Sequence, residues 1–140
     1  MAGAASLHLS REYDDELTET IALTTLDALA DEFRIEPDVI KIDVEGAELL
    51  VLRGGVETLK RNRPAVLAEM LRIHSAPFGY HPNEIIDLMD SLSYRCFSST
   101  GDHWEPFTSM TADTVETNFL FLHTDRHAEL VTQLSSGAPS

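Results

Sequence analysis

Three carboxylates and a histidine lie where the chain is predicted to leave its strands. Asp43 and Glu45 follow a run of β-branched residues, and Glu69 closes a second apolar run shortly before His74. In open α/β sheets, ligands bind beyond the carboxyl ends of the strands, so parallel neighbours would present Asp43 and Glu69 to one crevice. Such side chains can transfer protons, and as an oxygen-rich set they would also suit Mg²⁺ or Mn²⁺.

The elements that must position these groups lie between residues 39 and 70. The run Val39–Val44 favours a strand that is covered on both faces. The apolar residues that follow have the spacing of one helix face, and Gly54 with Gly55 predicts a break in that helix. A second apolar run, Ala65–Met70, comes after Pro64. Strand, helix and strand in this length predict a right-handed βαβ unit in a parallel α/β sheet.

A structural role competes with the chemical one for each charged residue here. At a strand-to-helix turn, Asp43 and Glu45 can simply accept hydrogen bonds from backbone N–H groups. Glu48 falls in the first helical turn, where a carboxylate complements the helix dipole, and this favours a structural role. Lys41 shares a strand face with Asp43, either as its buried counter-ion or with its ammonium in water. No compact ligand spacing supports the metal alternative.

The flanking segments complete an α/β pattern. Thr25 is predicted to cap a helix that continues to Phe33, and Ile21–Leu23 is a candidate edge strand. Pro82 suits the first position of a helix whose apolar face includes Ile85, Met89 and Leu92.

The C-terminal third predicts two antiparallel strands with a long connection. These strands are Tyr94–Ser98 and Phe119–His123, the first followed by a loop over Ser99–Glu105. His103 and Trp104 in this loop could stack on a substrate or simply anchor the loop. A last helix is predicted over Arg126–Leu134, followed by a disordered tail at 135–140; residues 1–19 are predicted to be mobile.

Composition narrows the class of protein. The 140 residues fit one domain, and 24 acidic against 10 basic residues give a formal net charge of -14. This charge disfavours nucleic acids and anionic membranes as partners. The single cysteine, Cys96, rules out an internal disulfide, and no secretion signal or membrane-length apolar run is present. The predicted location is the cytoplasm.

The central motif also resembles a known family. Lys41–Glu48 (KIDVEGAE), Leu52–Gly54 (LRG) and Pro64–Glu69 (PAVLAE) are similar to the core of the FkbM-type S-adenosylmethionine-dependent methyltransferases. Thr25–Asp27 (TLD) resembles the segment that leads into that core. The resemblance is specific over residues 20–70 and looser from 71 to 125.

The resemblance implies a class I (Rossmann-like) methyltransferase sheet that transfers a methyl group to a hydroxyl of a small molecule or sugar. The implied catalytic residues are Asp43, Glu45, Glu69 and His74, and Asp43 with Lys41 would contact S-adenosylmethionine. No metal is implied. Because no GxGxxG-like loop occurs in the sequence, residues 20–134 resemble the C-terminal half of such a domain, holding the fourth to seventh of its strands.

A half-domain of this kind would leave its central strand open on one edge, where the first strand normally pairs. An open apolar edge is an association site, so a homodimer or a complementary chain is the predicted partner there. The alternative function is a methyltransferase remnant that no longer catalyses and acts as a binding or dimerisation module.

Overall fold

A computed structural model describes residues 20–137, and these form six α-helices and one five-stranded sheet. The strands are β1 (Val39–Ile42), β2 (Ala65–Glu69), β3 (Tyr94–Ser99), β4 (Trp104–Pro106) and β5 (Asn118–His123). The helices are α1 (Leu26–Phe33), α2 (Glu48–Arg53), α3 (Val56–Asn62), α4 (Arg72–Ser75), α5 (Asn83–Ser91) and α6 (Ala128–Ser135), with a 3₁₀ turn at Ala76–Phe78.

The strand order in the sheet is β1-β2-β5-β3-β4. β1 and β2 are parallel, with Val39 opposite Ala65 and Ile42 opposite Ala68, and α2 and α3 form the connection between them. β5 is antiparallel to β2 on one side and to β3 on the other. The α/β class is therefore confirmed, as are the parallel strand–helix–strand unit and the antiparallel strand pair.

The helix between β1 and β2 breaks at Gly54-Gly55, as predicted, because α1 packs against this point. A Cβ atom on Gly55 would lie 2.5 Å from Cδ2 of Leu26, and one on Gly54 would lie 3.2 Å from Cβ of Thr25. The backbone N–H of Asp27 also donates to the Gly54 carbonyl, at 2.9 Å. The two glycines are needed for close approach of the start of α1.

Asp27 lies in the first turn of α1 and caps the N-terminus of α3, so that it joins the two helices. Its carboxylate accepts hydrogen bonds from the Thr58 backbone N–H at 2.8 Å, the Thr58 hydroxyl at 2.7 Å and the Glu57 N–H at 3.2 Å. Burial is the largest single contribution and raises the pKa of Asp27, but the hydrogen bonds from Thr58 and Glu57 together outweigh it and lower the pKa. Thr25 caps α1 itself, as predicted, through a 3.1 Å bond from the Ala28 N–H.

We expect Asp27→Ala to lower the free energy of unfolding by about 1–2 kcal/mol, since it leaves the N-terminus of α3 uncapped. The lowered pKa of Asp27 contributes stability that is present above the ordinary value of 3.8 and is lost as the pH falls through the folded value. Urea denaturation at neutral and acidic pH measures both effects. The control is Asp31→Ala, because Asp31 is exposed and only pairs with Arg61 at the surface, 3.3 Å away. Equal losses in the two variants would contradict the capping role.

Several predictions for individual elements differ from the structure. β1 is buried on one face only, because Val39 and Lys41, which share a face, are exposed, whereas Ile42 on the other face is buried. Ile21–Leu23 forms no strand, and part of the predicted loop 99–105 belongs to β4, where Trp104 pairs with Ser99. The last helix begins at Ala128 rather than Arg126 and includes Ser135. The predictions for residues 1–19 and for 138–140 lie outside the described residues.

The core lies between the sheet and the helices α2, α3 and α5. It contains an aliphatic group from the βαβ unit and α5, with aromatic residues from β3 and β5: Ile42, Leu49, Leu52, Leu59, Val66, Met70, Ile85, Met89, Tyr94, Phe119 and Phe121. Cys96 is also buried, and burial raises the pKa of its thiol to about 12, so it packs as a small apolar residue. Among the helices within residues 20–137, none has the length and apolarity needed to cross a bilayer.

Two histidines hold the turn between β5 and α6 through their ring nitrogens. Nδ1 of the buried His123 accepts hydrogen bonds from the N–H groups of Asp125 and Arg126, and Nδ1 of His127 accepts one from the His123 N–H at 3.0 Å. The His123 ring also packs edge-on against Tyr94, with centroids 5.2 Å apart. A nitrogen that accepts these bonds cannot carry a proton, so the turn requires both imidazoles to be neutral.

We therefore expect acid to weaken this turn. Burial is the main cause that lowers the pKa of both His123 and His127, with Arg63 and Arg126 respectively adding to the effect. The stability that depends on the neutral rings is present above the ordinary pKa of 6.5 and is lost as the pH falls through the folded values. The measurement compares thermal midpoints across this range for the wild type, His127→Asn and the exposed-site control His103→Asn. The first variant should lose less on acidification than the other two, and identical pH slopes would contradict the prediction.

Candidate functional site

The candidate site lies beyond the carboxyl ends of β1 and β2. Ile42 is opposite Ala68 in the parallel register. The next residues, Asp43 and Glu69, are therefore neighbours at the carboxyl ends of the two strands and point to the same face of the sheet. The pKa of Glu69 is raised, first because a proton on Glu69 is shared with the Asp43 carboxylate. Burial of Glu69 and the negative charge of Asp43 raise the pKa further, whereas nearby His74 lowers it. The predicted convergence of Asp43 and Glu69 is thus present.

A sharply folded turn separates these carboxylates from α2. Glu45 and Gly46 both have positive φ values, of 49° and 113°. The backbone of His74 in α4 lies directly against Gly46, so that a Cβ atom there would be 2.1 Å from the His74 carbonyl oxygen. Gly46 therefore meets two requirements at once, the backbone conformation of the turn and the close approach of α4. This contact brings His74 to the edge of the sheet that carries Asp43 and Glu69.

Glu48 and Tyr80 stabilise this turn through hydrogen bonds to its backbone. The Glu48 side chain is 3% exposed, and its Oε1 accepts hydrogen bonds from the N–H groups of Gly46 at 3.1 Å and Val44 at 3.4 Å. The Tyr80 hydroxyl donates to the Gly46 carbonyl at 2.7 Å and lies 3.3 Å from Oε2 of Glu48. Burial, together with the charge of Glu48, raises the pKa of Tyr80 to about 12, so the hydroxyl keeps its proton. The structural role that the sequence favours for Glu48 is confirmed.

Sequence analysis missed Tyr80. It lies 34 positions from Gly46 in a segment with no periodic pattern, so no local signal connects it to the turn. One signal could have indicated a partner of this kind. Glu48 is predicted to be structural, and a buried carboxylate needs hydrogen-bond donors for both of its oxygens.

The connection between β4 and β5 is held in place by side chains of α4 and α5. The Asn83 side chain binds it in both directions, accepting from the Met110 N–H at 2.7 Å and donating to the Met110 carbonyl at 3.1 Å. Arg72, two residues before His74, donates to the Ala112 carbonyl at 2.9 Å. These hydrogen bonds therefore fix the long connection to α4 and α5.

The predicted site residues do not all converge. Asp43, Glu69 and His74 lie together, whereas Glu45 is exposed and makes no hydrogen bond or ion pair with other residues of 20–137. Lys41 is exposed on β1 and forms no ion pair with Asp43 within the same part of the chain, so the buried-pair interpretation is wrong and the solvent-exposed one holds. Because its side chain is exposed, Lys41 needs no buried partner.

Two further alternatives for the site, substrate stacking by Trp104 and a bound metal ion, find no support in residues 20–137. Trp104 belongs to β4, which β5 and β3 separate from β2, so it is remote from the Asp43–Glu69 pair. Within residues 20–137, no set of three or more histidine, cysteine, aspartate or glutamate side chains has an arrangement that could hold a metal ion, and this includes Asp43, Glu69 and His74. The Mg²⁺ or Mn²⁺ alternative therefore has no geometric support in this part of the chain.

Comparison with known proteins identifies a family. No curated protein and no solved structure matches the chain. The Methyltransferase FkbM domain matches residues 2–96, which include the Asp43 turn, β2, α4 and the first half of β3. The match covers more than half of the 140 residues and contains each of Asp43, Glu45, Glu69 and His74. The chain is thus a member of the FkbM methyltransferase-domain family.

Proposed function

We propose that this chain carries the acceptor side of an S-adenosylmethionine-dependent methyltransferase site, which transfers a methyl group to a hydroxyl of a small molecule or sugar. The single observation that supports the proposal is the carboxyl pair of Asp43 and Glu69 at the ends of two parallel strands, with a raised pKa on Glu69. Pairs of like charges destabilise the folded state, and they are concentrated at functional sites.

The pair suits the removal of a hydroxyl proton. When bound, the cofactor would supply an electrophilic methyl group. As the bond from that carbon to sulfur breaks and the new C–O bond forms, the acceptor oxygen must lose its proton. Either carboxylate can take this proton, and the hydrogen bond between Asp43 and Glu69 then holds it between the two oxygens. His74 lies close enough to interact with the charge of Glu69, and its ring can orient the acceptor or pass the proton onward.

The charges of the site residues suit the cofactor, whereas the turn beside them does not have the shape of a cofactor-binding loop. The exposed carboxylate of Asp43 complements the positive sulfonium of the cofactor. Lys41, which shares a strand face with Asp43, is the second proposed cofactor contact. The turn at Gly46 does not form a cradle for a nucleotide, because the His74 backbone fills the space beside it. We therefore propose that residues 20–137 act as a partial domain whose cofactor contacts are completed by chain outside this region.

Calorimetric titration of the purified chain with S-adenosylhomocysteine tests the proposal. We expect micromolar binding that Asp43→Ala abolishes, followed by transfer of labelled methyl groups to members of a sugar and polyol panel. Glu45→Gln tests the separate prediction for Glu45 in the same assays. Absence of cofactor binding by a well-folded chain, alone and together with a longer version, would overturn the proposal.

A second candidate function is a binding module that has kept the fold and lost catalysis. The observation that favours it is the exposed strand β1 at the end of the sheet, with Val39 68% exposed. A folded chain that associates through β1 and binds no S-adenosylhomocysteine would support this candidate. For either function the proposed compartment is the cytoplasm, because the single thiol is buried and needs no oxidising environment.

A further inference from the structure

β1 presents an unpaired backbone edge among the described residues. It is the terminal strand of the sheet, bound to β2 on one side only. Val39 is 68% exposed and Lys41 is also exposed, so neither is covered by residues 20–137. An open edge of this kind offers N–H and C=O groups that pair readily with another strand.

The hydrogen bonds to β2 show which residues face outward. The Ala65 N–H donates to the Asp38 carbonyl at 2.9 Å, so the backbone groups of Asp38 point toward β2. Along an extended strand these groups alternate in direction from residue to residue, so Ile40 and Ile42 also face β2. The N–H and C=O groups of Val39, Lys41 and Asp43 therefore face the open side.

Side-chain charge selects one register for a second copy in antiparallel orientation. Outward-facing residues must lie opposite one another, which allows Lys41 to face Val39, Lys41 or Asp43 of the other copy. Lysine opposite lysine places like charges together, and lysine opposite Val39 gives its charge no partner. Lysine opposite Asp43 forms two symmetric opposite-charge pairs. The edge is thus self-complementary in one register, as a twofold axis requires.

Apolar surface lies beside this edge. Phe33, at the end of α1, is 63% exposed, and Ile35, in the segment that leads into β1, is 48% exposed. With Val39 they add to the exposed apolar surface near the start of β1. The formal net charge of -14 opposes general self-association, so a specific contact needs a local match of charge such as the Lys41–Asp43 pair.

We infer that two copies of this chain associate through antiparallel pairing of their β1 strands, which joins two five-stranded sheets into one. Each Lys41 would lie opposite Asp43 of the other copy, next to the Asp43–Glu69 pair. The candidate site would then receive a positive charge from the second copy. The inference follows from the edge geometry and does not depend on catalysis.

Sedimentation velocity over a range of protein concentrations tests this inference. We expect a dimer whose dissociation constant rises at least about tenfold in Lys41→Glu, because both symmetric pairs become repulsive. The matched control is Lys60→Glu, an exposed lysine on α3 that pairs only with Glu57 of its own helix, and it should leave the constant unchanged. Adding Asp43→Lys to Lys41→Glu should restore dimerisation, even though it removes the proposed cofactor contact.

Three results would overturn the inference. The first is a wild-type chain that stays monomeric at every concentration. The second is a dimer that Lys41→Glu and Lys60→Glu weaken equally. The third is slow hydrogen exchange of the Val39 and Lys41 amides in the monomer, which would assign this edge to another segment of the same chain. Cofactor titration is a separate measurement, so loss of binding and loss of the dimer can be distinguished.

Discussion

Gly46→Ala is expected to lower the free energy of unfolding by more than about 3 kcal/mol, a large part of the stability of a domain of this size. A methyl group at this position would lie 2.1 Å from the His74 carbonyl oxygen, 2.7 Å from the His74 carbonyl carbon and 2.9 Å from Cε2 of Phe78. Two of these three atoms belong to the backbone, which cannot move aside as a side chain does. The φ angle of 113° adds strain for any residue with a Cβ atom.

The control for this prediction is Gly79→Ala. Gly79 also has a positive φ, of 76°, but a Cβ atom there would meet no other atom of the described residues within 4 Å. This variant should therefore show only the conformational cost of the left-handed region, about 1 kcal/mol. The difference between the two melting curves measures the packing of α4 against the turn. Equal losses in Gly46→Ala and Gly79→Ala would show that the contact with His74 is not needed for folding.

The strand–helix–strand unit could be predicted because its signals are local. The β-branched run, the apolar helix spacing, the paired glycines and Pro64 each constrain the backbone within a few residues. The meeting of Asp43 and Glu69 then follows from parallel pairing alone. The same local signals misjudge β1, since an apolar run predicts burial of both strand faces whether or not another layer of the fold packs on each of them.

The contacts that shape the site could not be predicted because they are distant in sequence. Tyr80 reaches Gly46 across 34 positions, Asp27 reaches Thr58 across 31, and Asn83 reaches Met110 across 27. No residue close to them in the sequence indicates these distant partners. Only the packing of α1, α4 and α5 shows that they fix other elements in place.

Asp43→Asn is expected to raise stability at neutral pH while it lowers methyl transfer by about a hundredfold or more, the usual contribution of a proton acceptor. The pKa of Glu69 is raised above its ordinary value of 4.5 chiefly by Asp43. A group of this kind stabilises the fold below that value, and the stability is lost as the pH rises through the folded pKa. An asparagine removes the repulsion and can donate a hydrogen bond to Glu69, which favours the fold by up to about 1 kcal/mol for a half-exposed pair.

Opposite effects on stability and activity separate a catalytic pair from a structural one. If Asp43 only satisfied backbone donors in the turn, Asp43→Asn would be neutral or destabilising at every pH. A repelling pair instead predicts a gain that is largest at neutral pH and disappears as the pH falls below about 4.5, where Glu69 holds its proton in both proteins. Thermal melts across this range measure the effect without any acceptor. Asp87→Asn, which changes an exposed carboxylate on α5, is the control and should follow the wild type. A stability gain in that control as well would indicate relief of the general negative charge rather than of the Asp43–Glu69 pair.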